Sequence, residues 1–423
     1  MKFYKVLISL LAISFAACGS DDAPNPTPPE PEPPVSSNER TVLIYIAAEN
    51  SLNKFSTDDL NEMKQGSKAL KDNQNLIVYV DQKGSGKPYY ARIKDGMCID
   101  SVSLDETSAS DPAILEEALQ YTRENYQAKS YGLVLWGHST GWLIKNDSIP
   151  YAKTRAYAND EGESPTTWMN IPSLARAIKN GMNGEKLAFI HGDCCNFGTV
   201  EVAYELRNVT DYVIGSPAEI PDYGANYTNL SGLFDTSSTF YKKIIDLYWD
   251  YYTSEFKNNS TRYYVKTYGD LEGYSVPLMA VKTSELENLA VATANLLSTI
   301  PDKLSPTGTL DLSNVIFYAV NDGLKHNYDM YKTLKENTSE ADFNAWVPAF
   351  EKAVVYDRMS ARWYSTMTTL KNAIMSFDEK SSDCHAIAMF FPGNTYNSVY
   401  PSWNKTIQQL QWNGPISWQQ YGW

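Results

Sequence analysis

The chain has 423 residues, of which 43% are hydrophobic, and 36 basic against 50 acidic residues give it a formal net charge of −14. This length allows two or three domains, or one large core with additions, and the apolar content excludes a disordered chain. The acidic balance argues against nucleic acid as a partner and against adsorption to anionic lipid, because both need a basic surface.

The first residues have the pattern of a bacterial lipoprotein leader. Two lysines precede an apolar run over 6–17, which is too short to span a bilayer and has the length of a signal-peptide core. Two alanines directly precede Cys18, as in the lipoprotein cleavage box, and two aspartates soon follow it, as in a surface-export tag. We predict a signal peptide over 1–17 and a Gram-negative lipoprotein anchored through lipidated Cys18 at the outer membrane or cell surface. The alternative is an ordinary signal peptide with an incidental cysteine.

Residues 18–40 are predicted to be a linker, because seven prolines between 24 and 34 favour an extended segment that builds no core. No later run is long and apolar enough for a membrane helix. The four remaining cysteines are too few for a disulfide scaffold. A structural zinc site is not expected, since the chain has only four histidines and no Cys-x-x-Cys pair.

From residue 41 onward, short apolar segments alternate with amphipathic ones. The apolar segments are rich in β-branched and aromatic residues, as is typical of strands buried on both faces. Strands that alternate with helices predict an α/β fold with a mostly parallel sheet covered on both faces, and a ligand crevice beyond the carboxyl ends of the strands. The predicted strands are 41–48, 75–80, 131–136, 186–190 and 212–215, and the predicted helices are 58–64, 111–126, 170–180 and 199–207.

The second half of the chain is less regular. We expect a first domain over 41–235 and a C-terminal α/β region, an extension or subdomain, over 236–423. The elements predicted in this region are a helix over 284–298 with a capping box at Ser284 and Glu287, a helix over 341–359 interrupted near Pro348, and a buried strand over 385–391.

Two of the predicted strands are followed by reactive side chains. His138 follows the strand at 131–136, and Cys195 follows the strand at 186–190. If these strands are neighbours, the imidazole can act as a base for the thiol and then as an acid for a leaving amine. A helix that begins soon after the cysteine favours its thiolate, and the backbone N–H groups of Ser139 and Cys195 could hold an oxyanion. The inert alternative is a satisfied polar histidine near core cysteines or a vicinal disulfide.

Several sequence blocks support the reactive interpretation. Residues 135–142 (LWGHSTGW) are similar to a Leu-Trp-x-His-Gly-x-Gly-Trp block, and 193–197 (DCCNF) stand in the place of Asp-Ala-Cys-Leu-Met. With 42–52 (VLIYIAAENSL) and 387–393 (IAMFFPG), they resemble, in order, the clostripain-like cysteine peptidases, which share the caspase and gingipain fold. The resemblance implies a three-layer α/β/α sheet and a cysteine endopeptidase that cuts after Arg or Lys and requires no cofactor for its chemistry.

By position in these blocks, the resemblance makes His138 the catalytic base and Cys195 the nucleophile. Asp193 matches the acidic residue that lines the specificity pocket, and a carboxylate there can pair with an ammonium or a guanidinium group. Glu219 and Asp222 are candidates for a second acidic wall. The expected partners are protein or peptide substrates with Arg or Lys at the cut site; membrane contact is expected through the lipid anchor only, and no nucleic acid is expected.

The chain also departs from the family pattern. Ser139 replaces the glycine after the histidine, so its side chain could crowd the oxyanion site. Asn196 and Phe197 replace Leu-Met and are expected to change the rim of the pocket. Cys194 stands at the family's alanine position and is expected to be only a neighbour of the nucleophile. These departures leave altered specificity, or a retired enzyme, open.

Relatives often cut themselves between the histidine and cysteine strands. Residues 143–169 form an irregular polar stretch here, and we predict self-cleavage after Lys153 or Arg155. The acidic run 159–163 could bind calcium, which some relatives use, but it lacks the spacing of a known calcium loop. The alternative for this run is a solvated acidic loop.

Two other functions compete. Residues 137–141 also fit Gly-x-Ser-x-Gly, the nucleophile elbow of an α/β-hydrolase-type serine esterase with Ser139 as nucleophile. Against this, the residues after the motif read as a loop instead of a helix, and His385 precedes a strand instead of following the last one. The other alternative is a catalytically silent surface lipoprotein that binds peptides or glycans.

Overall fold

The computed structural model describes residues 36–84, 86–105, 107–144, 157–161, 167–256, 276–321, 324–359, 362–364, 374–376, 383–400 and 402–423. Residues 36–423 form one compact unit. The predicted signal peptide, Cys18 and most of the linker lie outside the described residues, and so do Lys153 and Arg155. No described helix has the length and apolar composition needed to cross a bilayer.

The strands of the described chain are numbered in order along it. They are β1 (Arg40–Ala48), β2 (Gln74–Gln82), β3 (Tyr89–Lys94), β4 (Met97–Ser103), β5 (Tyr131–Trp136), β6 (Tyr157–Asp160), β7 (Thr167–Met169), β8 (Phe189–Asp193), β9 (Tyr212–Gly215), β10 (Leu278–Lys282), β11 (Phe317–Asn321), β12 (Leu324–Asp329), β13 (Val354–Arg358), β14 (Arg362–Tyr364), β15 (Ile374–Ser376) and β16 (Ala388–Met389).

Nine of these strands build the central sheet, in the spatial order β13-β10-β9-β8-β5-β1-β2-β3-β4. The five strands from β9 to β2 are mutually parallel. Antiparallel strands extend both edges. The carboxyl ends of β1, β5 and β8 therefore meet at one edge of the sheet, where the sequence predicts the crevice. Strands β10 and β13 follow residue 235 and still join this sheet, while a domain boundary there stays a prediction.

Helices cover both faces of the sheet. One face packs against α1 (Asn53–Ser67) and α5 (Phe240–Asp250). The other face packs against α2 (Pro112–Asn125), α3 (Ile171–Gly181) and α4 (Val200–Leu206), and against segments of the C-terminal half. Alternate residues of β1 enter the two cores, as a pleated strand requires. The α/β fold with three layers is thus confirmed. The remaining helical segments are Tyr251–Phe256 (π), Thr283–Glu285 (3-10), Leu286–Leu297, Pro301–Leu304, Met330–Asn337, Glu340–Ala353, Asn394–Tyr396 (3-10), Trp403–Thr406, Ile407–Gln409 (3-10), Asn413–Ile416 and Trp418–Tyr421 (3-10).

Several predicted element ends are wrong. β8 begins at Phe189 and runs through Asp193, three residues further along than predicted. The helix Glu340–Ala353 contains Pro348 without interruption and stops before β13, so the predicted helix over 341–359 is too long. In the predicted strand 385–391, the residues 386–391 are buried, but only β16 pairs as a strand.

The capping box predicted at residue 284 does not form. The residue before the helix Leu286–Leu297 makes no side-chain cap, and a 3-10 turn precedes it. Glu287 instead accepts hydrogen bonds from Arg207 Nε at 2.6 Å and from Tyr204 O–H at 2.8 Å. Glu287 is therefore engaged by α4 and the residue that follows it, and not by the backbone at the start of its own helix.

Candidate active site

A glycine at the end of β5 turns the chain so that His138 projects beyond the sheet edge. Gly137 has φ of 146°, and a Cβ there would lie 2.9 Å from the carbonyl oxygen of Ala47, so this position requires glycine. His138 is partly exposed, and its Nε2 lies 2.9 Å from the hydroxyl oxygen of Ser51, which follows β1. This contact fixes the orientation of the ring.

Cys195 lies on the neighbouring strand end. Trp136 of β5 is paired with Asp193 of β8, and His138 and Cys195 each follow two residues after these partners. The Cys195 thiol is partly exposed, and its Sγ lies 3.9 Å from the Ile220 carbonyl oxygen. The parallel register therefore brings the two predicted reactive side chains to the same edge of adjacent strands.

One cleft of about 390 Å³ collects these groups. It lies at the carboxyl edge of the sheet, between the start of α1 and the loop that follows β9. Its lining includes all the side chains that the sequence assigns to catalysis and substrate binding. The lining residues are Ser51, Leu52, Lys54, Phe55, Trp136, Gly137, His138, Asp193, Cys195, Glu219, Ile220, Pro221, Asp222 and Gly224.

Asp193 is a buried carboxylate in this cleft and is held by several donors. Its Oδ2 accepts hydrogen bonds from Tyr227 O–H at 2.7 Å and from Ala225 N–H at 3.0 Å. Its Oδ1 lies 3.4 Å from the Tyr248 hydroxyl. At Gly224, a Cβ would lie 2.7 Å from Asp193 Oδ2, so the glycine allows the loop to approach the carboxylate. Asp193 is thus fixed in place before any ligand binds.

A second buried acid lies behind Asp193. Asp59 of α1 accepts a hydrogen bond from Trp136 Nε1–H at 2.6 Å. Burial and the neighbouring Asp193 raise the pKa of Asp59 well above its usual value, which favours the protonated form. Asp59, Tyr227 and Tyr248 lie outside the sequence blocks named above, and their roles around Asp193 emerge only in the folded chain.

The surroundings of Cys195 disfavour its thiolate. Burial raises the pKa of this thiol, and the carboxylates of Glu219, Asp193 and Asp222 raise it further. Helix α4 begins with Thr199 as its N-cap, whose Oγ1 accepts from Val202 N–H at 3.3 Å. The predicted start of α4 is therefore confirmed, but burial first and the carboxylates second set the direction of the thiol pKa.

The side chains that depart from the family pattern are buried and do not line the cleft. Ser139 is buried, and its Oγ accepts a hydrogen bond from Gly141 N–H at 3.0 Å, so the side chain closes a local turn. Asn196 and Phe197 are also buried, and none of the three is among the described residues that line the cleft. The side chains of Asn196 and Phe197 therefore do not themselves form the rim, and an effect of these two residues on specificity stays a prediction. Cys194 is buried too, consistent with a neighbouring role.

Three carboxylates form an acidic cluster elsewhere at this edge of the sheet. Glu49, Asp81 and Asp160 each have a carboxylate oxygen within 4.8 Å of the others. Asp160 belongs to the run in which the sequence places a calcium ligand, and oxygen ligands suit calcium. This acidic cluster is where the described chain could hold a cation, while calcium binding stays a prediction.

Known proteins similar to this chain were found along most of its length. A profile described as the clostripain family, peptidase C11, matches residues 44–423. Clostripain of Hathewaya histolytica is 28% identical over 195 residues, which cover 40% of this chain and only 36% of clostripain.

Solved structures share the fold. A secreted C11 cysteine protease of Bacteroides thetaiotaomicron, in complex with an irreversible peptide inhibitor, has a TM-score of 0.72 at 28% identity, covering 90% of this chain and 99% of that protein. An inactive zymogen C11 protease of Parabacteroides distasonis has a TM-score of 0.68 at 23% identity with the same coverage, which supports the fold.

The central sheet lies between two layers of helices, with the cleft at its carboxyl edge, and this is the fold of the caspase-like cysteine peptidases. Within that class, the chain belongs to the clostripain family, whose cysteine chemistry needs no cofactor. The serine esterase alternative is set aside by this membership and by the local structure: Ser139 is buried, and residues 139–144 form no helix, which a nucleophile elbow requires.

Proposed function

We propose that this chain is an endopeptidase that cleaves peptide bonds after Arg or Lys, with Cys195 as nucleophile and His138 as base and then acid. The observation that carries the proposal is the cleft in which these two side chains share a surface with Asp193, Glu219 and Asp222. Peptides are the proposed ligands because the similar B. thetaiotaomicron protease is described with a peptide inhibitor.

In the proposed reaction, Nε2–H of His138 donates to the Ser51 hydroxyl, which leaves the Nδ1 lone pair for the thiol proton. The thiolate of Cys195 attacks the carbonyl carbon, and the N–H groups of Ser139 and Cys195 receive the oxyanion. The imidazolium gives its proton to the leaving amine as the C–N bond breaks. Water then hydrolyses the thioester with the same base.

The preference for basic residues follows from the way Asp193 is held. Tyr227 and Ala225 donate to Oδ2, whereas Oδ1 receives a single long contact from Tyr248 among the described residues. A carboxylate oxygen accepts at two lone pairs, so Oδ1 has capacity for an incoming guanidinium or ammonium group. Such charge-assisted bonds are stronger than neutral ones.

We also propose self-cleavage after Lys153 or Arg155, within 143–169, and attachment of the protein through lipidated Cys18 to the outer membrane or cell surface. Proximity supports the first proposal, because Ala158 N–H, a few residues after Arg155 in the same segment, donates to the His138 carbonyl oxygen at 3.0 Å. The leader sequence supports the second, and the similar B. thetaiotaomicron protease is described as secreted.

The test is a panel of fluorogenic peptides that differ only in Arg, Lys or a neutral residue before the cut bond, with and without a calcium chelator. We expect cleavage of the basic peptides, lost in both Cys195→Ala and His138→Ala and kept in the control Cys194→Ala. No cleavage of any peptide by the processed protein would favour the silent binding alternative.

A further inference from the structure

The charged side chains that line the cleft around the nucleophile are mainly negative. Glu219 and Asp222 follow β9 and face the same space as the Cys195 thiol, and Asp193 lies at the end of its own strand. Among the described residues that line the cleft, Lys54 is the sole cationic side chain. It is exposed on α1, and its Nζ lies over the Phe55 ring at 4.4 Å from the centroid.

The remaining titratable groups near the thiol do not offset this charge. Tyr248 of α5 contacts Asp193, and Cys194 is buried beside the nucleophile. Burial and, after it, the three carboxylates raise the pKa of Cys195, which favours the protonated thiol over the thiolate. His138 is the available proton acceptor, and its ring is oriented by Ser51.

We propose that the positive charge of the substrate's own side chain activates the nucleophile: a cation bound among the carboxylates of Asp193, Glu219 and Asp222 neutralises the negative charge that these groups place in the same cleft as the Cys195 thiol. The S–H bond then breaks and an N–H bond forms on His138, so the proton is conserved and no further reactant is needed. This inference rests on the proposed function and adds a step to it.

The consequence is that charge selects substrates twice. A neutral residue binds less well to the cleft, and it also leaves the nucleophile in its unreactive form. An opposite charge within a few ångströms shifts a pKa by about one to three units, so the second selection is large enough to detect. This second selection acts on the reactivity of the thiol itself. It should therefore also be seen with a small neutral electrophile, which does not have to bind in the cleft as a substrate does.

The experiment measures the rate at which iodoacetamide alkylates Cys195 as a function of pH, using mass spectrometry of the peptide that contains this residue. The protein carries Cys194→Ala, so that Cys195 is the one thiol at this pair of positions. The probe is agmatine, which carries a guanidinium group and no scissile bond, and N-butylurea is the neutral control. We expect agmatine to lower the midpoint of the pH profile by about one unit or more and to raise the rate at neutral pH about tenfold. N-butylurea should change neither.

Charge variants give a second measurement. Glu219→Gln should lower the midpoint without any ligand and reduce the agmatine effect, whereas Glu351→Gln, an exposed control, should leave both unchanged. If agmatine competitively inhibits cleavage but does not move the midpoint of the alkylation pH profile, the inference is wrong and the proposed function remains intact. A midpoint that falls equally with N-butylurea also overturns the inference. If no basic peptide is cleaved, the proposed function fails, and the inference that a substrate activates the thiol fails with it.

Discussion

Replacing Asp193 by asparagine removes the charge in the cleft and keeps the shape of the side chain. Two donors, Tyr227 O–H and Ala225 N–H, converge on Oδ2. The asparagine must therefore keep its carbonyl oxygen there, because an amide N–H would face both donors. Its NH2 group then takes the place of Oδ1, where the proposed substrate cation binds, and presents donors to a cation.

The size of the effect differs between stability and catalysis. Two hydrogen bonds change from a charged to a neutral acceptor, which costs about 1 kcal/mol each and about 2 kcal/mol of unfolding free energy in total. Removing one partner of a desolvated charge pair costs about 2–5 kcal/mol, or roughly 30- to 5,000-fold in kcat/KM. Cleavage after a neutral residue uses no charge pair and should not fall, because loss of the Asp193 charge also removes one of the groups that raise the pKa of the Cys195 thiol.

The assay compares kcat/KM of wild type and Asp193→Asn on matched Arg, Lys and neutral peptides, with urea unfolding of both proteins in parallel. Gly224→Ala is the matched structural control, because its Cβ would displace the loop from Asp193 without changing charge. Equal losses on basic and neutral peptides in Asp193→Asn would show that the residue only maintains the fold and would refute the electrostatic reasoning.

Four further outcomes are expected. Ser51→Ala should lower kcat about 2- to 10-fold through loss of one hydrogen bond to His138 and shift the acid limb of its pH profile, with rescue in Ser51→Thr; an unchanged profile contradicts the positioning role. Burial raises the pKa of Glu201 from 4.5 to about 7, so the unfolded chain ionises first and the free energy of unfolding falls as pH rises between these values. In denaturant unfolding, this fall should be smaller by roughly 3 kcal/mol in Glu201→Gln than in wild type. Parallel curves of stability against pH for the two proteins would disprove this expectation. Intact masses should show two fragments for wild type and a single chain for Cys195→Ala; identical masses under activating conditions rule out self-cleavage. Calcium should raise the Tm of wild type but not of Asp160→Asn, and equal shifts exclude the acidic cluster as the site.

The fold was accessible from local sequence wherever a buried parallel strand produces an unbroken apolar run, as in β1, β5 and β9. The hairpin formed by β3 and β4 has no such run, since β4 is largely exposed at the sheet edge, and the sequence analysis does not predict it. β13 is likewise read as the end of a helix, because its five residues gain their strand conformation only by pairing with β10.

The sequence predicts the two residues of the proposed covalent chemistry better than it predicts the groups that surround them. His138 and Cys195 stand directly after two predicted strands, so the rule about carboxyl edges brings them together. The Tyr248 hydroxyl donates to the Asp193 carboxylate from a position 55 residues further along the chain. No local sequence pattern marks this tyrosine. The pKa of Cys195 is raised first by burial and then by Glu219, Asp193 and Asp222, which meet the thiol only in the folded chain. The local sequence shows only the helix that begins soon after the cysteine.

The sheet is assembled from both sides of the proposed cut. Strands β1 to β5 precede Lys153, while β8, β9, β10 and β13 follow Arg155, and β5 pairs with β8 in the interior. A nicked molecule should therefore persist as a two-piece complex that co-purifies under native conditions and separates only in denaturant. Its dyad would then be shared between two polypeptides, so that neither fragment expressed alone carries a complete catalytic apparatus.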